Sequence, residues 1–357
     1  MGLNSTPPGL GRGNLLWEPS QGCDGLWPAW RGHFGLKGPW PGETLIGALL
    51  ESFCAGLWAE EPEDLASLDG PALFLANHQV AVESILFATA VTPFLRAPLH
   101  AIAKSEHASS WVGQLFGLLH GWPGTTPLDT IFFQDLGDAR ALLELTARLK
   151  TELSSRGCGL LIHVAASRML TCRDPLRTLS GVLLDLAIAL EMPVFPVRFL
   201  GGLPVEPLEG FLDFPCGLGK QQYLIGRAIP AATLAAMPYG ARRALVMERI
   251  NALGVPAANE VPSLPNPYLK SRMRAPMTRL GVLEPALATI WAALSEARNP
   301  APEIAAVLAG IDAGRVMVPC TAAGHWSAAL GKWLTEGRLP VQFIPPPGTS
   351  HEGKFDL

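Results

Sequence analysis

Short apolar runs recur through the middle of the chain, at 72–76, 99–103, 131–134, 159–164, 194–199 and 222–225. Between them lie longer stretches near 82–90, 108–119, 137–154, 180–191 and 240–253, with apolar residues at helical spacing. Runs that are apolar at consecutive positions mark strands buried on both faces. Their alternation with helices predicts an α/β fold with a mixed, mostly parallel central sheet flanked by helices. Residues 1–42 are rich in Gly, Pro and Trp and are read as irregular. The α/β domain is placed at 43–255. A Pro-rich connector then leads into an Ala-rich appendage at 256–342, with helices near 283–298, 302–309 and 321–336, and 343–357 is read as a flexible tail. The linker-like ends are expected of a domain cut from a longer protein.

One greasy segment, "TLIGALLESFCAGLW" from Thr44 to Trp58, is predicted to be a helix, either in the core or at an interface. Nothing in the chain approaches the ~20 uninterrupted apolar residues of a membrane span. No secretory signal is expected, because the first 40 residues lack an apolar segment. "MGLNST" formally fits a myristoylation pattern but is too short to weigh. The expected location is the cytoplasm, with peripheral contact at the inner membrane face as a further option.

Composition narrows the function classes. Hydrophobic residues make up 48% of the 357 and charged ones 16%, which excludes disorder over most of the length. A net charge of −4 argues against nucleic acid as the main partner and weakens attraction to anionic lipid. The six cysteines are scattered and form no C-x-x-C, so they read as reduced thiols and not as a zinc site.

The polar residues that break the apolar pattern carry the candidate chemistry. "PALFLANHQVAVES" places Asn77 and His78 at a strand end, with Glu83 five residues beyond His78. Five residues on a regular helix are rotated by about 140°, so the two side chains meet only if His78 lies in the turn and Glu83 in the first helical turn. Glu83 would then orient the imidazole and leave its other nitrogen as a base. The alternative is a polar strand end beside a helix whose N-terminus favours a carboxylate. In "LLIHVAASRML", Ser167 and Arg168 follow a strand, and the guanidinium fork suits an anion; a surface loop Arg is the alternative. "MPVFPVRFLGGLP" is read as a strand and a Gly-rich turn beside the site. The chain has no G-x-S-x-G, phosphate loop or metal spacing. Ser84 lacks a nucleophile-elbow context, and His100 and His163 are assigned to the core.

Taken in order, these segments resemble the glycerolipid (lysophospholipid) acyltransferase superfamily, which includes the 1-acylglycerol-3-phosphate acyltransferases. "NHQVAVE" stands for the N-H-x4-D block, with Glu83 where Asp is usual. "HAIAKSEH" keeps Lys104 and Glu106 of the next block. "IFFQD" stands for F-I-D-R, with Asp135 in place of Arg, and "HVAASRM" for P-E-G-T-R-S, with Ala165 and Ala166 in place of Glu and Gly. "MPVFPV" matches v-P-i-v-P-V. An acyltransferase-like domain of bacterial polyketide or polyunsaturated fatty acid synthases is similar as well.

The resemblance covers about 45–255 and implies a glycerol-3-phosphate acyltransferase-like fold. It also implies transfer of a fatty acyl group from a thioester, on acyl carrier protein or coenzyme A, to a hydroxyl such as that of a lysophospholipid or glycerol phosphate. His78 would be the general base and Glu83 its orienter. Asn77, Lys104, Ser167 and Arg168 would bind substrate, and no metal or redox cofactor is implied. The changed blocks deplete the acceptor site, so a thioester hydrolase and a catalytically dead acyl- or carrier-binding module stay open beside the transferase.

Overall fold

The computed structural model describes residues 13–95, 99–126, 131–134, 147, 150–151, 159–164, 167–281 and 283–345. Among them an eight-stranded sheet runs in the order β1 (Asn14–Trp17), β2 (Cys54–Ala59), β8 (Gln221–Ile225), β7 (Val194–Leu200), β3 (Ala72–Ala76), β6 (Gly159–His163), β4 (Leu99–Lys104), β5 (Ile131–Gln134). All neighbours are parallel except β1 with β2 and β7 with β8. The sheet is therefore mixed, mostly parallel and flanked by helices. Every apolar run predicted as a strand is one.

Alternation along the strands explains the two covered faces. Ala72, Phe74 and Ala76 of β3 face one cluster, together with Phe195, Val197 and Phe199 of β7. Leu73 and Leu75 face the other, with Leu160 and Ile162 of β6. Helices Pro41–Phe53 and Glu83–Val91 cover the first face. Helices Gly181–Ala189 and Tyr239–Ala252 cover the second. Phe74 and Phe195 stack across β3 and β7 at 5.0 Å.

Two expectations need correction. The segment 1–42 is not irregular throughout: Asn14–Trp17 is an edge strand, and Trp27–His33 a helix that buries Trp27 and Trp30. Its tryptophans supply core area that a Gly- and Pro-rich composition hides. The greasy stretch 44–58 is not one helix. Pro41–Phe53 is helical, and the chain then turns into β2, because the sheet has room for a strand between β1 and β8. The expected connector and helical appendage, 256–342, packs onto the α/β domain: seven buried residues of helix Pro285–Ser295 join the first-face cluster, and Trp326 Nε1 donates to Leu118 O at 2.7 Å.

The connector itself contains a helix, Pro267–Leu280, started by Asn266, whose Oδ1 accepts from Tyr268 N and Leu269 N. Further on, β9 (Val316–Pro319) and β10 (Val341–Ile344) form a parallel pair, so part of the expected tail is strand. All of the helix predicted near 137–154 except 147 and 150–151, which are helical, lies outside the described residues, as do Asp135, Ala165–Ala166 and the tail beyond 345.

Candidate active site

The parallel strands β3, β6 and β7 end at one edge of the sheet, and β8, antiparallel to β7, begins there. Open α/β sheets bind their ligands at such an edge. His78 follows β3 by two residues, His163 ends β6, and Gln221 opens β8. Turn 79–82 is held by backbone bonds from Ala81 N to Leu212 O and Val82 N to Asp213 O. The helix Glu83–Val91 starts directly afterwards, so Glu83 folds back over its own N-terminus.

In this turn geometry His78 Nδ1 lies 2.8 Å from Glu83 Oε1. The carboxylate is fully buried and accepts three further bonds. Gln79 N reaches Oε1 at 2.8 Å, Val80 N reaches Oε2 at 3.2 Å, and Gln221 Nε2 reaches Oε2 at 2.9 Å. The length of a Glu side chain lets one carboxylate serve both the imidazole and the turn's backbone. Burial pushes the Glu83 carboxyl up to about 7, against the pull of His163 and the hydrogen bonds. Burial, with the charges of Arg168 and His107, holds the His78 imidazole down at about 3. The imidazole is thus neutral at physiological pH, its Nδ1–H aimed at the carboxylate.

His163, assigned to the core from sequence, stacks on His78 with ring centroids 3.7 Å apart and planes 20° apart. Its Nδ1 lies 2.7 Å from Asn77 O and its Nε2 2.7 Å from Ser84 Oγ. Burial, with the neighbouring His78 second, lowers it to about 3.

Behind Glu83 a buried polar network reaches into the connector. Gln79 Nε2 donates to Glu260 Oε1 at 2.7 Å, and Glu260 Oε2 pairs with Arg198 Nη2 at 3.0 Å. The Gly-rich turn after β7 completes it: Gly201 N donates to Glu260 and Gly202 N to Gln79 Oε1. A Cβ on Gly202 would lie 2.4 Å from Gln221 Nε2, so any larger residue there must push the Gln221 amide aside.

The other predicted site residues divide. Asn77 is not available to substrate: it is 4% exposed, its Nδ2 donates to Phe199 O at 3.0 Å, and its Oδ1 accepts from Phe199 N at 2.7 Å. Its amide extends the pairing of β3 with β7 past the last strand residue. Arg168 lies near His78, but its Nη1 is held by Leu212 O at 2.6 Å and Asp213 Oδ1 at 3.0 Å. Ser167 is exposed in the turn after β6. Lys104 ends β4, two strands from β3, and its ammonium is 4.0 Å from Glu106. The structure therefore brings His78 and Glu83 into contact, sets Arg168 nearby, and leaves Lys104 apart from them.

His78, Glu83 and His163 form the one described group close enough to hold a metal ion. Two nearly parallel rings 3.7 Å apart cannot both aim an in-plane nitrogen at one ion at about 2.0–2.1 Å. Both nitrogens of His163 are also engaged. The donor set suits acid–base work better than a metal.

Among solved structures the chain is similar to the 1-acyl-sn-glycerophosphate (LPA) acyltransferase, PlsC, from Thermotoga maritima. The two are 19% identical over 60% of this chain and 75% of that one, with a TM-score of 0.39. No protein-family model matches the chain, and no curated protein matches it. No described helix is long and apolar enough to cross a membrane.

Proposed function

We propose that the chain is an acyltransferase that moves a fatty acyl group from a thioester to a hydroxyl, with His78 as general base and Glu83 as its orienting partner. The observation that carries this reading is the 2.8 Å contact of His78 Nδ1 with a buried carboxylate at the edge where β3, β6 and β7 end. With Nδ1 committed, Nε2 is the nitrogen left to take a proton. The acceptor hydroxyl gives its proton to Nε2, its oxygen attacks the thioester carbonyl, and the C–S bond breaks. The leaving thiolate takes the proton back. Glu83 stabilises the imidazolium while it exists.

The donor is a thioester of acyl carrier protein or coenzyme A, and the acceptor a lysophospholipid or glycerol phosphate. Arg168, whose charge acts on His78, would face an acceptor phosphate. Its engagement with Asp213 and Leu212 O favours a second reading, in which water replaces the anionic acceptor and the chain is a thioester hydrolase. Purified protein is given octanoyl-coenzyme A or octanoyl carrier protein, with and without lysophosphatidate, and products are read by mass. Acylated lysophosphatidate supports transfer, and free octanoate alone supports hydrolysis. Unchanged thioester turnover in His78→Ala refutes both.

A further inference from the structure

We propose that Ser84 is an acyl-accepting nucleophile with His163 as its base, so that the acyl group forms a Ser84 ester on its way to the final acceptor. This rests on the acyl-transfer reading above and replaces its single direct attack on the thioester with two half-reactions through Ser84. The hydrogen-bond inventory fixes the roles. Asn77 O, a carbonyl oxygen 2.7 Å from His163 Nδ1, can only accept, so Nδ1 carries the hydrogen. Nε2 then carries the lone pair, and the Ser84 hydroxyl, 2.7 Å away, donates to it. That is the arrangement of a hydroxyl nucleophile with an oriented imidazole base. Glu83 Oε1, 3.8 Å from His163 Nδ1, lies close enough to stabilise the imidazolium that forms.

Ser84 lies in an apolar wall that an acyl chain could approach from solvent. The wall encloses a small, partly open cavity of about 30 Å³. Trp30, Phe34, Ile85, Ala88 and Phe116 make that wall mainly apolar, with His33 and Thr92 beside them. Ser84 and Ala88 share one face of helix Glu83–Val91, so a chain lying along that face would bring its carbonyl to the helix N-terminus. First-turn N–H groups and the helix dipole favour the negative charge that develops there.

The stacked imidazoles divide the work. Like charges 3.7 Å apart disfavour each other, so only one ring is protonated at a time. In the first half-reaction Ser84 Oγ attacks the thioester carbonyl and its proton passes to His163 Nε2. The C–S bond breaks, and the thiol leaves with that proton. In the second, the acceptor hydroxyl or water gives its proton to His78 Nε2 and attacks the Ser84 ester. The acyl–Oγ bond breaks, and the proton that His78 took passes to Ser84 Oγ.

The test mixes the full chain with octanoyl-N-acetylcysteamine, quenches in acid at millisecond to minute intervals, and maps any octanoyl increment by peptide mass spectrometry. The expected result is an increment on Ser84 that accumulates in His78→Ala, where the second half-reaction is blocked. It should be absent in Ser84→Ala, whose thioester turnover should fall at least about 100-fold. Ser84→Cys, which keeps a nucleophile of similar size, should trap a thioester adduct and guards against a folding defect in the alanine variant. No increment on Ser84 at any time, with Ser84→Ala turning over at the wild-type rate, overturns the proposal and leaves direct transfer through His78 standing. Loss of turnover in His78→Ala with no adduct in any variant also overturns it. An increment on another residue does the same.

Discussion

Replacing Glu83 with Gln changes one atom and tests the core of the site. Each carboxylate oxygen accepts two bonds: His78 Nδ1 and Gln79 N on Oε1, Val80 N and Gln221 Nε2 on Oε2. An amide has one oxygen, so two donors must face its NH2 group in either orientation. If the oxygen stays with His78, Val80 N–H and Gln221 lose their acceptor inside the protein, at about 1–3 kcal/mol each. If the amide flips, its NH2 forces the opposite tautomer on His78, the kind of error that costs about 10⁴-fold in a Ser-His-Asp triad.

An amide in either orientation carries no charge to stabilise the imidazolium. The turnover number should fall by about 10²–10⁴ with little change in KM. The assay is steady-state thioester cleavage between pH 5 and 9. Because burial raises Glu83 to about 7, it takes up a proton as pH falls through 7, and the wild-type rate should fall with it. The stability contribution runs the other way. Raised above the ordinary carboxyl value of 4.5, Glu83 contributes stability that is present below that value and lost as pH rises through about 7. In the Gln variant the acid limb of the rate profile should flatten. A turnover number within about twofold of wild type, or an acid limb unchanged in the variant, refutes the assignment of Glu83.

Glu260→Ala leaves Arg198 buried beside three carbonyls without its carboxylate, and should cost about 3–5 kcal/mol; a melting temperature unchanged from wild type would count against the network. Asn77→Ala removes both bonds to the Phe199 backbone and should destabilise by about 2–4 kcal/mol in urea titration, whereas an unchanged midpoint would mean that the amide pairs nothing. Gly202→Ala drives a Cβ onto Gln221 and Gln79, which touch Glu83 and Glu260; it should cost about 1–3 kcal/mol and lower turnover, and wild-type values of both would refute the close approach.

Strands β3 to β8 were legible because a strand covered on both faces must be apolar at consecutive positions, and few other elements show that in so short a run. The contact between His78 and Glu83 was half legible: the five-residue spacing allowed it, but only a strand-to-helix turn makes it real. The role of Asn77 was not legible, because an Asn at a strand end looks the same whether its amide meets a substrate or, as here, the backbone of a neighbouring strand.

The local pattern of apolar and polar residues thus determined the α/β architecture and the candidate base with its carboxylate, since both depend on residues close together in the chain. Tertiary structure alone decided the rest. His163 meets His78 because β6 pairs with β3 in a register that sets His163 opposite Ala76. Glu260 meets Gln79 across 181 positions because the connector folds back beside β7. The 44–58 stretch divides into helix and strand because the sheet takes its second half. Contacts set by register and chain return leave no periodic trace in the sequence, because no repeat of 2.0 or 3.6 residues encodes which strand becomes a neighbour.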